Sequence, residues 1–179
     1  MNLIFIYTII ILAIVSRFVP HLANAAPVTA LAIFAAVYLP KKQAIAIPLI
    51  VRFVSDIFLG FFAWPLMIAV YTSHLAGVLL GLWIKKSKAN TNSFWFKIFG
   101  SGLASGIIFF LVTNFAFLYQ SYPHNLGGIM QSYINGLPFL RGTLIGDVGY
   151  TVGLFAAYAL AKKLVSKGWY WERKPHLQS

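Results

Sequence analysis

The chain is expected to be an all-α integral membrane protein of six transmembrane helices, with both termini on the cytoplasmic side. Of its 179 residues 60% are hydrophobic and only 9% charged, where soluble domains carry about 25% charged residues. Mean hydropathy is +0.80, and the apolar runs are too long for the single core that such a chain can build, so apolar surface must face lipid. The charges gather at the ends of those runs, 14 Lys and Arg against 3 Asp and Glu for a net +11.

The first span covers residues 2–18 and is closed by Arg17 and Pro20. The second, residues 26–39, starts on Pro27 and stops at Pro40-Lys41-Lys42; proline is pre-organised for a first helical turn and breaks a helix elsewhere. Its length is short for a bilayer, so it must tilt or fall short of spanning. Span three, residues 43–62, contains Pro48 and sets Arg52 and Asp56 four apart on one face. Span four, residues 64–84, ends at Lys85-Lys86-Ser87-Lys88, and span five covers residues 94–118. Tyr119 to Leu137 is dense in Gly, Pro, Asn and His, which predicts an ordered external loop or short interfacial helix. Span six covers residues 138–161, and residues 164–179 form a basic cytoplasmic tail.

With this topology Lys41, Lys42, Lys85, Lys86, Lys88, Lys97, Lys162, Lys163, Lys167, Arg173 and Lys174 fall on the terminal side, leaving Arg17, Arg52 and Arg141 elsewhere. The positive-inside rule makes that side cytoplasmic, and the charge is explained by the lipid bilayer without a nucleic-acid partner. Leu22-Ala23-Asn24-Ala25-Ala26 has the look of a signal-peptidase site. The preceding segment lacks a basic start, and Arg17 interrupts it, so no cleavage is expected.

Ionisable groups within a span cost about 2.5–3.5 kcal/mol each on insertion scales, so they face a protein interior or a wet cavity. Asp56, Tyr71, His74, Asn114 and Asp147 all fall toward the external ends of their spans, and Arg17, His21, Asn24, Tyr122, His124 and Arg141 fall around the mouth. Together they predict one outward-facing pocket built from the outer halves of spans three to six. An Arg52–Asp56 ion pair that merely stabilises the bundle is the plainer reading of those two residues. Small residues recur every fourth position, as at Gly77 and Gly81, Gly102 and Gly106, and Gly142 and Gly146, the spacing of close helix packing. Ala30, Ala32, Ala35 and Ala36 fit either such packing or a smooth docking face for another membrane subunit. No catalytic constellation emerges. Cysteine is absent, no His-Glu-x-x-His or phosphate-binding loop occurs, and the Gly102 to Gly106 segment lacks the glycine two positions before Ser105 that a serine-protease turn needs. The chain is therefore not expected to be an enzyme or to hold an intrinsic cofactor.

The order Arg17-x-x-Pro20-x-x-x-Asn24-x-x-Pro27-Val28-x-Ala30, then Ser55-Asp56-x-x-Leu59-Gly60, Thr113-Asn114-Phe115, Tyr122-Pro123-His124, Leu137-Pro138-Phe139 and Gly146-Asp147 resembles the BtuM-like family. These are bacterial inner-membrane proteins similar to the substrate-binding S components of energy-coupling factor (ECF) transporters. The resemblance implies a six-helix S-component bundle that binds a vitamin, cobalamin or a related corrinoid first, and that topples on a transmembrane coupling subunit driven by two ATPases. Ala30 to Ala36 would dock that subunit. Some members place a cysteine near the position of Tyr71 to His74; here His74, or His21 or His124, would stand in as cobalt ligand. A membrane scaffold without ligand, an S component for another small molecule, and a self-sufficient secondary transporter are the competing readings, the last disfavoured by the lack of an inverted repeat.

Overall fold

The computed structural model describes residues 3–15, 18, 25–89 and 91–172, and its regular secondary structure there is helical, with no strand. Six α-helices follow in order: α1 (Leu3–Val15), α2 (Val28–Tyr38), α3 (Lys41–Leu59), α4 (Trp64–Lys85), α5 (Asn92–Thr113) and α6 (Leu126–Glu172), with one 3-10 turn at Ala116–Leu118. Three of them are long and apolar enough to cross a membrane: α4, α5 and the Leu126–Val165 part of α6. Their outward surfaces are apolar, with Leu79 70% and Phe96 77% exposed, as expected where lipid replaces water. The chain is a membrane protein.

α2 forms the axis of the bundle. Pro27 precedes it and Pro40 begins the next helix, so the helix is held to 11 residues, about 16 Å at 1.5 Å per residue. That is about half the hydrocarbon thickness. Its residues Val28 to Val37 are all buried, enclosed chiefly by α3, α4 and α6. Phe34 packs edge-on against Phe155 at 5.4 Å and Tyr158 at 5.8 Å, joined by Leu31, Ile33, Ile84 and Ile98 in one core. Apolar burial alone gives little drive between helices in lipid, so close approach of backbones carries the packing. Gly77 and Gly81 provide it: a Cβ at Gly77 would meet the Thr29 carbonyl at 3.0 Å, and one at Gly81 would collide with the Ile33 carbonyl and the Ala36 methyl.

This packing corrects the docking reading of α2. Ala30, Ala32, Ala35 and Ala36 have no exposed surface, because a helix ringed by its neighbours offers no face to another subunit. Their smallness serves the internal contact with α4.

Two further expectations change. Residues 119–137, expected as an ordered external loop or a short interfacial helix, are helical from Leu126 on, and that helix is not short: it is the start of α6 and continues through Pro138. Asn125 starts it, its side-chain Oδ1 accepting from the Gly128 N–H at 2.9 Å, and Gly128 is needed because a Cβ there would strike the Pro123 carbonyl. The interior proline removes one backbone donor, which a packed membrane helix tolerates. α3 meanwhile ends at Leu59 because Gly60 takes φ +95°, a left-handed turn that glycine adopts without penalty. α3 carries Lys41, Lys42, Arg52 and Asp56, and it falls outside the helices apolar enough to count as spans.

The two ends of the bundle differ in charge. Lys85 Nζ donates to the Leu39 carbonyl at 3.3 Å and Lys97 Nζ to Ser87 Oγ at 2.7 Å, while Tyr7 of α1 donates to Gln43 of α3 at 3.2 Å. The start of α1, the α2–α3 turn and the α4–α5 turn therefore share one lysine-rich end. The opposite end gathers the C-termini of α3 and α5 and the N-termini of α4 and α6.

Candidate functional site

At the end away from the lysines lies a chamber of about 440 Å³, bounded by α3, α4, α5, α6 and the segment after α5. α6 presents Ser132, Asn135, Gly136 and Phe139 to it, positions spaced by three and four and so on one helical face. α5 gives Phe109 and Thr113, α4 gives Leu66 and Val70, and Asn114, Tyr119, Ser121 and Tyr122 close it from the connection. The lining thus mixes aromatic rings with a few convergent polar groups, the usual composition of a small-molecule site.

These polar groups are held in place. Asn114 Nδ2 donates to the Phe110 carbonyl at 2.9 Å and Ser132 Oγ to the Asn114 carbonyl at 2.6 Å. Gly136 is what lets the amide lie there, since a Cβ would collide with Asn114 Oδ1. Asn135 Nδ2 donates to the Tyr122 hydroxyl at 3.1 Å. Tyr119 donates to the Thr113 carbonyl at 2.6 Å. Burial, and after it the neighbouring Tyr122, raises the Tyr119 phenol above its ordinary value, so it remains a neutral donor at physiological pH.

Arg52 and Phe109 are common to this chamber and to a second, smaller well of about 40 Å³, also lined by Ala26, Thr29, His74, Thr143 and Asp147. Such a volume holds about two or three water-sized groups. Arg52 reaches the shared wall from α3, where its Nε donates to Asp56 Oδ2 at 2.8 Å. The Tyr71 hydroxyl donates to the same oxygen at 3.0 Å, and the guanidinium lies 5.2 Å from the Phe62 ring. In the well, Thr29 Oγ1 is 2.9 Å from His74 Nδ1, and the imidazole packs against Phe109 with centroids 5.5 Å apart. Asp147 is 3% exposed, has the hydroxyls of Ser105 and Thr29 as neighbours, and keeps Oδ2 without a hydrogen-bond partner.

The expected site residues separate into three sets. Asn114 and Tyr122 line the chamber and His74 and Asp147 the well. Asp56 and Tyr71 line neither; they hold Arg52, so the ion pair that looks purely structural also fixes a cation at the wall. His124 is exposed and stacks on Phe117 at 4.6 Å, and Arg141 lies exposed on α6; both are outside the lining. Arg17, His21 and Asn24 lie outside the described residues. His74 is 5% exposed and lines the well of about 40 Å³ rather than the chamber. Among the described residues no cluster of three or more His, Asp or Glu could hold a metal.

Arg52, Phe109, Thr113, Ser132, Asn135, Gly136, Thr29 and Thr143 escaped the sequence reading as site residues. The signal for the α6 set was present: positions 132, 135, 136, 139, 143 and 147 form one stripe at helical spacing once residues 126–137 are read as helix.

Compared with known proteins, residues 1–169 match a family of unknown function, DUF6580. No curated protein and no solved structure matches the chain.

Proposed function

We propose, from the premise that the chain belongs to the DUF6580 family of unknown function over nearly its whole length, that it is the membrane-embedded binding component of an uptake system for a vitamin or similar small nutrient. The observation that carries this reading is the two-level cavity: an aromatic and amide-lined chamber of about 440 Å³ above a polar well of about 40 Å³. A bundle that served only as a scaffold would gain nothing from leaving polar groups around an open chamber, since buried polar groups in a membrane are costly unless used.

The lysine-rich end would be cytoplasmic by the positive-inside rule. The chamber would then open to the outside of a bacterial inner membrane, which suits capture of a nutrient before import. The resemblance to BtuM-like S components points to cobalamin or a related corrinoid, with an ECF coupling subunit and ATPases as partners. The chamber volume favours a second ligand class, because about 440 Å³ is within the usual range for drug-sized molecules and a corrinoid would rest on it with most of its ring outside. No role for the protein's own groups in bond making or breaking is proposed.

Binding is tested by thermal unfolding of the purified full-length protein with cobalamin, cobinamide and a panel of smaller vitamins, since a ligand that prefers the folded state stabilises it by mass action. Stabilisation by at least one compound, lost in Asn114→Ala, is the expected result. Silence across the panel in wild type would count against the uptake reading and toward the scaffold.

A further inference from the structure

Asp147 is the group in this site whose chemistry is left incomplete. The other described aspartate, Asp56, is matched by Arg52 at 2.8 Å and by Tyr71 at 3.0 Å. Asp147 lines the inner well at 3% exposure with Oδ2 unpartnered. A carboxyl group at membrane depth without a partner is costly, and an ionisable residue so placed marks a pathway or a ligand contact more often than not.

The groups facing Asp147 define what would complete it. Thr143 Oγ1 spends its proton on the Phe139 carbonyl at 3.1 Å, and Ser105 Oγ spends its own on the Gly102 carbonyl at 2.9 Å. What these two hydroxyls can still offer is lone pairs. Thr29 is engaged with His74. The cation at the wall, Arg52, is held by Asp56 on its own helix. Phe109 offers an aromatic face common to the well and the chamber, which also attracts a cation. With the Arg52 charge matched by Asp56, Asp147 is left without a counter-ion among the described residues; beside hydroxyl lone pairs and one ring, in a well large enough for a terminal group only, it fits a positively charged donor.

We infer that the inner well takes the ammonium group, or a protonated ring nitrogen, of a small molecule whose apolar or aromatic body occupies the chamber, with Asp147 as its counter-ion. This names the substrate class of the uptake reading and rests on it. The class excludes ligands whose buried end is a carboxylate or phosphate, because either would meet Asp147 with like charge.

The test uses the full-length protein in detergent or nanodiscs and two matched trios of probes. Tryptamine, indole-3-ethanol and indole-3-acetate form one, and phenethylamine, phenethyl alcohol and phenylacetate the other; within each the body is constant and the end group is ammonium, hydroxyl or carboxylate. Thermal stabilisation of wild type by the amines only is expected. D147N should fold to the same monodisperse particle and lose amine affinity by about thirtyfold or more, the scale for removing one partner of a buried charge pair. If D147N does not fold, Thr143→Val removes a neighbouring lone pair from the well and should weaken the amines selectively. Amine binding unchanged in the variant that folds, or equal stabilisation by the hydroxyl or carboxylate probes, overturns the inference. Neutral or anionic vitamins that bind and depend on Asn114, while amines do not, would sink this inference and leave the uptake reading standing. Silence from every probe and every vitamin would sink the uptake reading, and this inference with it.

Discussion

The lower and upper halves of the bundle are built from the same helices by opposite rules. Toward the lysine end, α2 meets α4 and α6 through Phe34, Leu31, Ile33, Phe155 and Ile84, each fully or almost fully buried, with glycines drawing the backbones together. Toward the other end the same α4, α5 and α6 diverge around Thr29, His74, Asn114, Ser132, Asn135 and Asp147, and space opens between them. In lipid, where packing rather than water exclusion holds helices together, a bundle that keeps a dry lower half tight can leave its upper half open. The difference assigns stability to one region and binding to the other.

Substitutions sharpen that division, and the largest effect belongs to the lower half. Phe34→Ala removes the ring at the centre of the aromatic cluster and should cost about 3–5 kcal/mol of stability, read as a lowered unfolding midpoint in detergent; a loss near zero would mean the lower half is not the stabilising region. Arg52→Gln comes next, since it takes from Asp56 the guanidinium at 2.8 Å while leaving it the Tyr71 hydroxyl, a loss of about 1–3 kcal/mol. The double variant Arg52→Gln with Asp56→Asn should recover much of that loss, and its failure to do so would show that the pair contributes nothing specific. Gly136→Ala forces a methyl against Asn114 and should cost about 1–2 kcal/mol while displacing the amide from the chamber, so ligand response falls further than stability does. The smallest change is expected at Asp147→Asn. Because its Oδ2 has no protein partner, stability should stay within about 1 kcal/mol of wild type or rise, as when an unpaired buried charge is removed. A loss of several kcal/mol there would make Asp147 a structural group and move it out of the binding half.

Composition and hydropathy were enough to read the helical membrane class, and Pro27, Pro40, Thr91 and Pro65 sit at or next to the starts of the helices they punctuate. The depth of the polar residues also brought Asn114, His74 and Asp147 to one end. Two things were hidden. Gly127, Gly128 and Pro138 are turn formers by local propensity, yet α6 runs through all three, because tertiary packing against α5 and the Asn125 cap override propensity. That misreading concealed Ser132, Asn135 and Gly136. The alanines of α2 were ambiguous for another reason: a small-residue stripe has the same spacing whether it meets a helix of its own bundle or a foreign one, and which partner it meets depends on how the other helices are arranged around it.

The central claim is that the upper half holds a water-accessible chamber opening away from the lysine end. The chain has no cysteine, so single cysteines give a clean signal. The most direct measurement is labelling of Ser121→Cys, Asn135→Cys and Phe155→Cys with a membrane-impermeant maleimide in right-side-out vesicles, with Lys88→Cys as the opposite-side reference; Ser121 and Asn135 are exposed residues of the chamber lining. Rapid labelling at 121 and 135 from outside, none at 155, and labelling at 88 only after the vesicles are opened is the expected result. Protection of 121 and 135 from both sides, or their labelling only together with 88, would contradict it.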